Sequence, residues 1–373
     1  MDTTVLKCPN CNSMLPYNPV TGTWRCIYCG SEFTKEQILQ LTQEKSDKDV
    51  DINKQEYADY QEQNKQVGTD PVPPLHPSQE YSGEQPNLTL YRCESCGAEM
   101  VADENTASTF CVYCGNTAIL KSRLEGEFRP KYIIPFANTK DSAIAAYNSL
   151  RKGRFLAPDE FGKPENVQKI TGVYIPFWLY KGFSQGKISG ERHEKSSWRS
   201  GDYIVTKTDV YSEIRAGSEQ FENVPADGSE KFDDNLMDSI EPFDFSKIEN
   251  FNYSYLSGFL AEKFDVDSKE DEKRASLRMN NSLRQSLYST INGSLINANE
   301  NINCTIEGVD YALLPVWMLN TFVDGKAHTF AMNGQTGKIV GDIPIDKKKA
   351  TWVFIALLIG GFSICALINF LFD

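Results

Sequence analysis

Eight of the ten cysteines fall into two groups of four that have the same internal spacing. In each group, two Cys-x2-Cys pairs are separated by 14 residues, and the second group begins 85 residues after the first. The groups are Cys8, Cys11, Cys26 and Cys29, followed by Cys93, Cys96, Cys111 and Cys114. Two facing pairs supply four thiolates in the tetrahedral arrangement that zinc prefers. The pattern therefore predicts two zinc ribbons, with two structural Zn²⁺ ions as cofactors.

The number of ligands determines what such an ion can do. Four cysteines fill the coordination shell and leave no position for water or a substrate, so we expect both ions to be structural. Ribbons of this size should depend on zinc for most of their folding free energy. Gly30 and Gly115 follow the last cysteine of each group and let the chain turn beneath the metal. The competing interpretations are disulfide bonds and a redox-active Cys-x2-Cys, and the latter needs a thioredoxin-like context that is missing.

The sequence offers few candidates for catalysis. It contains three histidines, His76, His193 and His328, and none lies in a recognisable nucleophile or metal pattern. The segment 333–338 resembles a phosphate-binding loop, but it lacks the first glycine and the Ser or Thr after the lysine, so it predicts a hairpin turn. We name no catalytic and no cofactor-binding residues and predict that the protein is not an enzyme. A polar pocket with perturbed titratable groups in the large domain would favour an enzyme.

The C-terminal segment is apolar. Residues 350–372 carry no charge and follow Lys347, Lys348 and Lys349. At about 1.5 Å per residue, such a helix would be long enough to cross a bilayer. Because basic residues favour the cytoplasmic side, we expect a single-pass C-terminal anchor in the cell membrane, with the bulk of the chain in the cytoplasm. A reducing cytoplasm would favour zinc thiolates over disulfides. The alternative is a buried core helix, which apolarity on every face disfavours.

Charge and composition restrict the partners. The formal net charge is −13, and neither ribbon contains a cluster of lysines and arginines, so nucleic-acid binding is the less favoured alternative. Between the ribbons, Thr34 and Gln37 form a capping box that predicts a short helix. Residues 43–87 are acidic and rich in proline, which is typical of a solvated linker. A docking tail for a partner is the alternative interpretation of this stretch.

The long segment 123–346 predicts an α+β domain. Strand-like runs dominate it and indicate a mixed, largely antiparallel sheet. Two helices interrupt the strands: one is capped by Asp141, and the other, at about 269–296, carries an apolar residue at every fourth position, which predicts a packing face. Residues 174–178 (YIPFW) align with 313–317 (LLPVW) at an offset of 139, which indicates an internal duplication. Because proline removes a ladder donor, we expect both prolines at strand edges or bulges, with both tryptophans packed inward.

The predicted fold class is α+β with two small zinc ribbons and one C-terminal transmembrane helix. The predicted organisation comprises ribbon 1 at 1–34, a short helix and linker at 35–89, ribbon 2 at 90–122, the α+β domain at 123–346, and the basic flank with the membrane helix at 347–373.

The ribbons occur together with segment 255–263, segment 314–317, the turn at 333–337 and the apolar C terminus. In this combination the whole chain resembles the tail-anchored, TFIIB-type zinc-ribbon membrane proteins of Firmicutes. Members of that family are often labelled replication-restart helicases, yet this sequence lacks a helicase core. The resemblance implies association with phage-shock protein A-like and SPFH (flotillin-type) proteins in envelope-stress modules, and no catalytic residues carry over.

From these features we predict a non-enzymatic, membrane-anchored zinc-ribbon adaptor that recruits or scaffolds protein partners. The expected partners are membrane and cytoplasmic proteins, together with the lipid bilayer through residues 350–372. Self-association is left open. The alternative is a membrane-tethered nucleic-acid-binding regulator.

Overall fold

The computed structural model describes residues 6–41, 88–92, 99–103, 106–110, 117–120, 128–323 and 326–372. The predicted linker at 43–87 and all four cysteines of the second group lie outside the described residues. The chain divides into two compact units. One comprises Met1–Glu125 with Asn252–Ala261, and the other comprises Gly126–Phe251 with Glu262–Asp373.

The first unit is built from short antiparallel pairs of strands. The ribbon that carries the first cysteines has the strands β1 (Tyr17–Asn18), β2 (Thr23–Arg25) and β3 (Glu32–Phe33), in the order β1-β2-β3, followed by helix α1 (35–41). The backbone N–H of Thr34 donates to Gln37 Oε1 at 2.9 Å, which confirms the capping box. Further along, β4 (Leu88–Arg92) pairs with β5 (Glu99–Asp103), and β6 (Thr106–Phe110) pairs with β7 (Thr117–Ile119). The segment that begins at Asn252 contains a 3₁₀ turn (Tyr253–Leu256) and β12 (Leu260–Glu262).

The second unit contains a large mixed sheet. Its strands are β8 (Tyr132–Ile133), β9 (Thr171–Ser200), β10 (Tyr203–Asp227), β11 (Glu249–Asn250), β13 (Ile296–Val323), β14 (Lys326–Asn333) and β15 (Ile339–Gly341). The long strands β9 and β13 pair antiparallel at the centre, and β10 pairs with the other side of β9. Strand β8 runs parallel to β13, which makes the sheet mixed. This sheet and its helices agree with the α+β class.

Helices of the second unit follow the periodicity of the sequence. They are α2 (Lys140–Arg151), α3 (Pro164–Val167), α4 (Asp234–Ser239) and α5 (Ser268–Ser289). Thr139 caps α2 by accepting the N–H of Ser142 at 3.2 Å, so the cap is Thr139 and not the predicted Asp141. Helix α5 buries one residue in every four, as predicted, and packs this stripe on the sheet at Ile188. The stripe consists of Ala275, Met279, Leu283 and Leu287.

Both prolines of the repeated motif lie in the two central strands, where the neighbouring outer strand ends. Strand β10 pairs with β9 as far as Phe177, and beyond this point Gly228 N–H donates to the carbonyl of Pro176 at 2.9 Å. In the same way, β14 pairs with β13 as far as Val316, and Gly334 N–H donates to the carbonyl of Pro315 at 2.8 Å. The missing proline N–H therefore falls where the ladder with that neighbouring strand has ended. Trp178 and Trp317 are both buried, as predicted.

The C-terminal helix α6 (Lys347–Phe372) begins with three lysines. Over the residues that the structure describes, no helix combines the length and the apolarity that crossing a membrane requires. This finding contradicts the predicted C-terminal transmembrane helix and the single-pass anchor with a cytoplasmic chain, and both are withdrawn.

Candidate metal centre

The first cysteine group forms a compact cluster of thiols. The four Sγ atoms of Cys8, Cys11, Cys26 and Cys29 all lie within 4.8 Å of one another. The Sγ atoms of Cys8 and Cys29 are 3.6 Å apart, and those of Cys11 and Cys26 are 3.4 Å apart. Tetrahedral zinc with Zn–S bonds of about 2.3 Å places its sulfur ligands about 3.8 Å apart. The cluster therefore fits a metal ion with four sulfur ligands.

The first Cys-x2-Cys pair lies in a tight backbone turn. The N–H of Cys8 donates to the carbonyl of Ser13, and the N–H of Asn12 donates to the carbonyl of Cys8, both at 2.8 Å. Asn12 has a φ of 60°, a left-handed conformation that asparagine tolerates better than most residues. The turn closes around Cys8 and Cys11 and directs both thiols to one side.

The second Cys-x2-Cys pair repeats this geometry. The N–H of Cys26 donates to the carbonyl of Ser31 at 2.8 Å, and the N–H of Gly30 donates to the carbonyl of Cys26 at 3.1 Å. Gly30 has a φ of 73°, so Gly30 and Asn12 occupy equivalent positions. Asn10 Nδ2 donates to Ser31 Oγ at 2.8 Å and joins the two turns. This hydrogen bond therefore connects the two halves of the cluster without the help of a metal ion.

Hydrogen bonds and burial affect the four thiols differently. Hydrogen bonds from the hydroxyl and the backbone of Ser31 lower the pKa of Cys29 to about 6. The backbone and hydroxyl of Ser13 lower the pKa of Cys11 in the same way. Burial raises the pKa of Cys8 to about 11, because it disfavours an isolated thiolate. A bound cation would offset this penalty, since coordination deprotonates a thiol.

An aromatic core lies in the same unit as the cluster, and part of it comes from the distant segment 252–261. The rings of Tyr17, Trp24 and Tyr255 pack against one another with centroids 5.0, 5.4 and 5.2 Å apart. Trp24 is buried, and its Nε1–H donates to the carbonyl of Ser254, 230 residues further along the chain, at 2.8 Å. The ribbon therefore has a hydrophobic core in addition to its cysteines.

Backbone contacts hold the same segment against β1. The N–H of Tyr17 donates to the carbonyl of Ser257 at 3.0 Å, and Ser257 Oγ donates to the carbonyl of Leu15 at 2.8 Å. Gly258 has a φ of 96°, and a Cβ at this position would lie 3.3 Å from Cβ of Pro16. Residues 252–261 therefore pack in the same compact unit as the ribbon.

An open groove of about 680 Å³ lies beside the second turn. Ile27 and Tyr28, between the two cysteines of this turn, are 71% and 82% exposed. The groove is lined by Pro16, Tyr17, Asn18, Pro19, Arg25, Cys26, Ile27, Tyr28, Cys29 and Gly30. A large apolar side chain and an aromatic ring therefore face solvent next to the thiol cluster.

Among curated proteins, the chain aligns with the uncharacterized protein YdjG of Bacillus subtilis (strain 168) at 30% identity over 333 residues. The aligned region covers 76% of this chain and 98% of YdjG. The chain belongs to the YdjG family. No protein-family profile matches it, and no solved structure matches it. In this member of the YdjG family, the chemistry of the centre follows from its own geometry: a shell of four thiolates suits a structural ion.

The other predicted ligands, Cys93, Cys96, Cys111 and Cys114, lie outside the described residues. The strands that flank them in sequence are described, and they form the antiparallel pairs β4–β5 and β6–β7. Sequence analysis of this YdjG-family chain missed Asn12, Ser13 and Ser31. Aligning Cys11-Asn12-Ser13 with Cys29-Gly30-Ser31 would have indicated them, because Asn and Gly both tolerate the left-handed conformation.

The turn that resembles a phosphate-binding loop has a structural role in the second unit. It lies between β14 and β15, as predicted for a hairpin turn. Asn333 is fully buried, and its Nδ2 donates to the carbonyls of Ile240 and Pro242 at 3.1 Å. Its Oδ1 accepts the N–H groups of Gln335 and Thr336 at 2.9 Å. The side chain thus ties the turn to the segment 240–242.

A buried carboxylate in the second unit is paired with an arginine. The Asp227 side chain is inaccessible to solvent, and its Oδ1 accepts from Arg274 Nη1 at 2.8 Å. Burial raises the pKa of Asp227 to about 6, and the arginine offsets part of that effect. Arg274 also contacts Asp234 and Asp238, so the group links α4 and α5 to the end of β10.

Proposed function

We propose that the protein is a non-enzymatic zinc-ribbon adaptor that binds protein partners through the surface next to its metal centre. The observation that carries this proposal is the cluster of four thiols at Cys8, Cys11, Cys26 and Cys29. Four sulfur ligands leave no position at which a substrate or a catalytic water would bind. A centre of this kind supplies rigidity to the surface around it.

The chain's own residues prepare the site for Zn²⁺. Equivalent turns place one cysteine of each pair opposite one of the other, and the Asn10–Ser31 hydrogen bond joins them. Bound zinc would supply a cross-link between the two turns, and its binding free energy would stabilise the ribbon. Bound zinc would also stabilise the aromatic core around Trp24, because the cysteine cluster and this core belong to one compact unit.

The proposed partner surface consists of Ile27, Tyr28 and the groove beside them. Both residues lie within one Cys-x2-Cys turn, so the cysteines on either side restrict their backbone. A restricted apolar pair loses little conformational entropy when a partner covers it, which favours affinity. Tyrosine is also enriched in the energetically dominant parts of protein interfaces. These features support a protein as the partner.

We extend the proposal to a second structural zinc ion at Cys93, Cys96, Cys111 and Cys114. The support is the identical spacing and the two strand pairs, β4–β5 and β6–β7, that flank the cysteines in sequence. The family resemblance makes phage-shock protein A-like and SPFH-type proteins the first partners to test.

The test places a photo-crosslinking amino acid at Tyr28 of the full-length protein in cells, followed by mass spectrometry of the crosslinked products. We expect a small, reproducible set of proteins. A crosslinker at Leu277, which is 62% exposed on α5, is the matched control and should not capture them. Ile27→Asp, which changes the surface and no ligand, should remove the crosslinks while the zinc content stays unchanged. Crosslinks to nucleic acid, or protein crosslinks that persist in Ile27→Asp, would contradict the proposal.

A further inference from the structure

The hairpin formed by β9 and β10 continues beyond the central strands. Pairing of β13 with β9 begins at Ile296, opposite Glu191, whereas β9 and β10 remain paired as far as Ser200 and Tyr203. The stretch from Arg192 to Tyr211, called the hairpin arm below, is therefore two-stranded in the part of the chain that the structure describes.

The outer edge of β10 in the hairpin arm is open. Within the described residues, β10 pairs with β9 alone, so alternate N–H and C=O groups point away from the sheet. Helix α5 crosses the inner part of β10, where Arg215 Nε donates to Thr290 Oγ1 at 3.1 Å. Beyond this point the arm exposes Trp198, Tyr203, Ile204, Val205, Val210 and Tyr211, all between 38% and 78%. Long, apolar edges of this kind are templates for pairing with another strand.

The sequence of this edge is complementary to itself. In a two-fold antiparallel pair centred on Thr208, Lys207 lies opposite the partner's Asp209, and Asp209 lies opposite the partner's Lys207. Within one chain these two side chains already share a face, with Lys207 Nζ 2.9 Å from Asp209 Oδ1. Opposite charges across strands stabilise a sheet, and like charges destabilise it. Centring the pair on Lys207 or on Asp209 would place two like charges opposite each other, so charge disfavours both adjacent registers.

The same register also pairs apolar groups. Val205 lies opposite the partner's Tyr211, a β-branched and aromatic pair that stabilises antiparallel strands. Trp198 faces Val205 across the β9–β10 ladder and extends this row. Thr208 lies opposite the partner's Thr208, another favourable pair.

From the open edge and its complementarity, we infer that the hairpin arm is a dimerisation surface. A second copy of this chain adds its β10 antiparallel to the first, with Thr208 at the two-fold axis. The two arms then form one continuous four-stranded ribbon, and residues 203–213 of each copy make the new ladder. This surface belongs to the second unit, whereas the candidate metal centre belongs to the first.

Charge exchange tests the proposed interface on the full-length protein. Lys207→Asp alone, or Asp209→Lys alone, makes both cross-strand charge pairs repulsive, and we expect dimer dissociation constants that rise about tenfold or more. The double variant Lys207→Asp with Asp209→Lys restores opposite charges and should recover the dimer. Light scattering over a concentration series gives the masses. A monomer at every concentration, or a dimer that the single variants leave unchanged, would overturn the proposal.

Crosslinking tests the register separately. Under mild copper-phenanthroline oxidation, Thr208→Cys should give a covalent dimer in high yield, because the two sulfurs meet at the axis. Thr206→Cys is the matched control, since its copies lie far apart in this register, and the wild type gives the background of the native cysteines. A yield for Thr206→Cys equal to that for Thr208→Cys would overturn the assigned register.

Discussion

Replacing Trp24 by phenylalanine probes whether segment 252–261 and the cysteine ribbon form one folding unit. The substitution keeps an aromatic ring between Tyr17 and Tyr255 but removes the indole N–H that donates to the carbonyl of Ser254 at 2.8 Å. That carbonyl belongs to a buried residue, so it would be left without its donor in the protein interior.

The expected cost has two parts. A buried carbonyl that loses its hydrogen-bond partner costs about 1–3 kcal/mol. The smaller ring leaves a void at a side chain that is 1% exposed, which adds roughly 1 kcal/mol. We therefore expect a loss of about 2–4 kcal/mol in the free energy of local opening, which corresponds to about 30- to 1,000-fold faster exchange.

Hydrogen exchange measured by mass spectrometry gives this local free energy without requiring two-state unfolding of the whole chain. Peptides that contain Tyr17, whose N–H donates to Ser257, and peptides from 252–261 should both exchange faster in the variant. Zinc release to a competing chelator should occur at lower chelator concentration, because metal binding and folding are coupled. Tyr28→Phe, at a position 82% exposed in the same ribbon, is the control and should change neither. Unchanged exchange in Trp24→Phe would refute a common folding unit.

Three further substitutions test other contacts. The pKa of Asp227 is raised from 3.8 to about 6, so the folded state holds this proton more tightly than the unfolded state. The free energy of unfolding should therefore fall by about 3 kcal/mol as pH rises from about 4 to above 6. Asp227→Asn should remove this fall in urea unfolding, and the same pH dependence in the variant and the wild type would refute the assigned role of Asp227. Asn333→Ala leaves the buried Ile240 carbonyl without its donor and removes the bond to the Pro242 carbonyl, so it should cost about 1–3 kcal/mol in thermal or urea unfolding. A loss below about 0.5 kcal/mol would contradict the proposed tie. Gly258→Ala introduces a Cβ at a φ of 96° and 3.3 Å from Pro16. The free energy of local opening should fall by about 1–2 kcal/mol, so the ribbon amides should exchange faster. Unchanged exchange would contradict this packing.

The thiol cluster was accessible to sequence analysis because its determinants are local. A spacing of two residues and a residue that tolerates positive φ are enough to form each turn, and the sequence shows both at Cys26–Gly30. The α5 stripe was accessible for the same reason, since its four-residue period is written in one helix.

The aromatic core around Trp24 was not accessible in this way. Trp24 and Ser254 are 230 residues apart, and nothing in either segment alone indicates the other as its partner. The positions of Pro176 and Pro315 depend on where neighbouring strands end, which is also a property of the assembled sheet. The C-terminal prediction rested on the apolar run 350–372 and the three lysines before it, and the described part of α6 does not meet the requirement for crossing a membrane.

The proposed function depends on a structural zinc ion that Cys8, Cys11, Cys26 and Cys29 bind through sulfur alone. Zinc K-edge X-ray absorption reports ligand type and distance together. The test uses the purified full-length protein with Cys93, Cys96, Cys111 and Cys114 replaced by alanine, so that only the first cysteine group can supply four sulfur ligands. We expect four sulfur atoms at about 2.3 Å from the zinc and no nitrogen or oxygen ligand. A protein that binds no zinc, or a zinc shell that includes a nitrogen, an oxygen or a water, would contradict it.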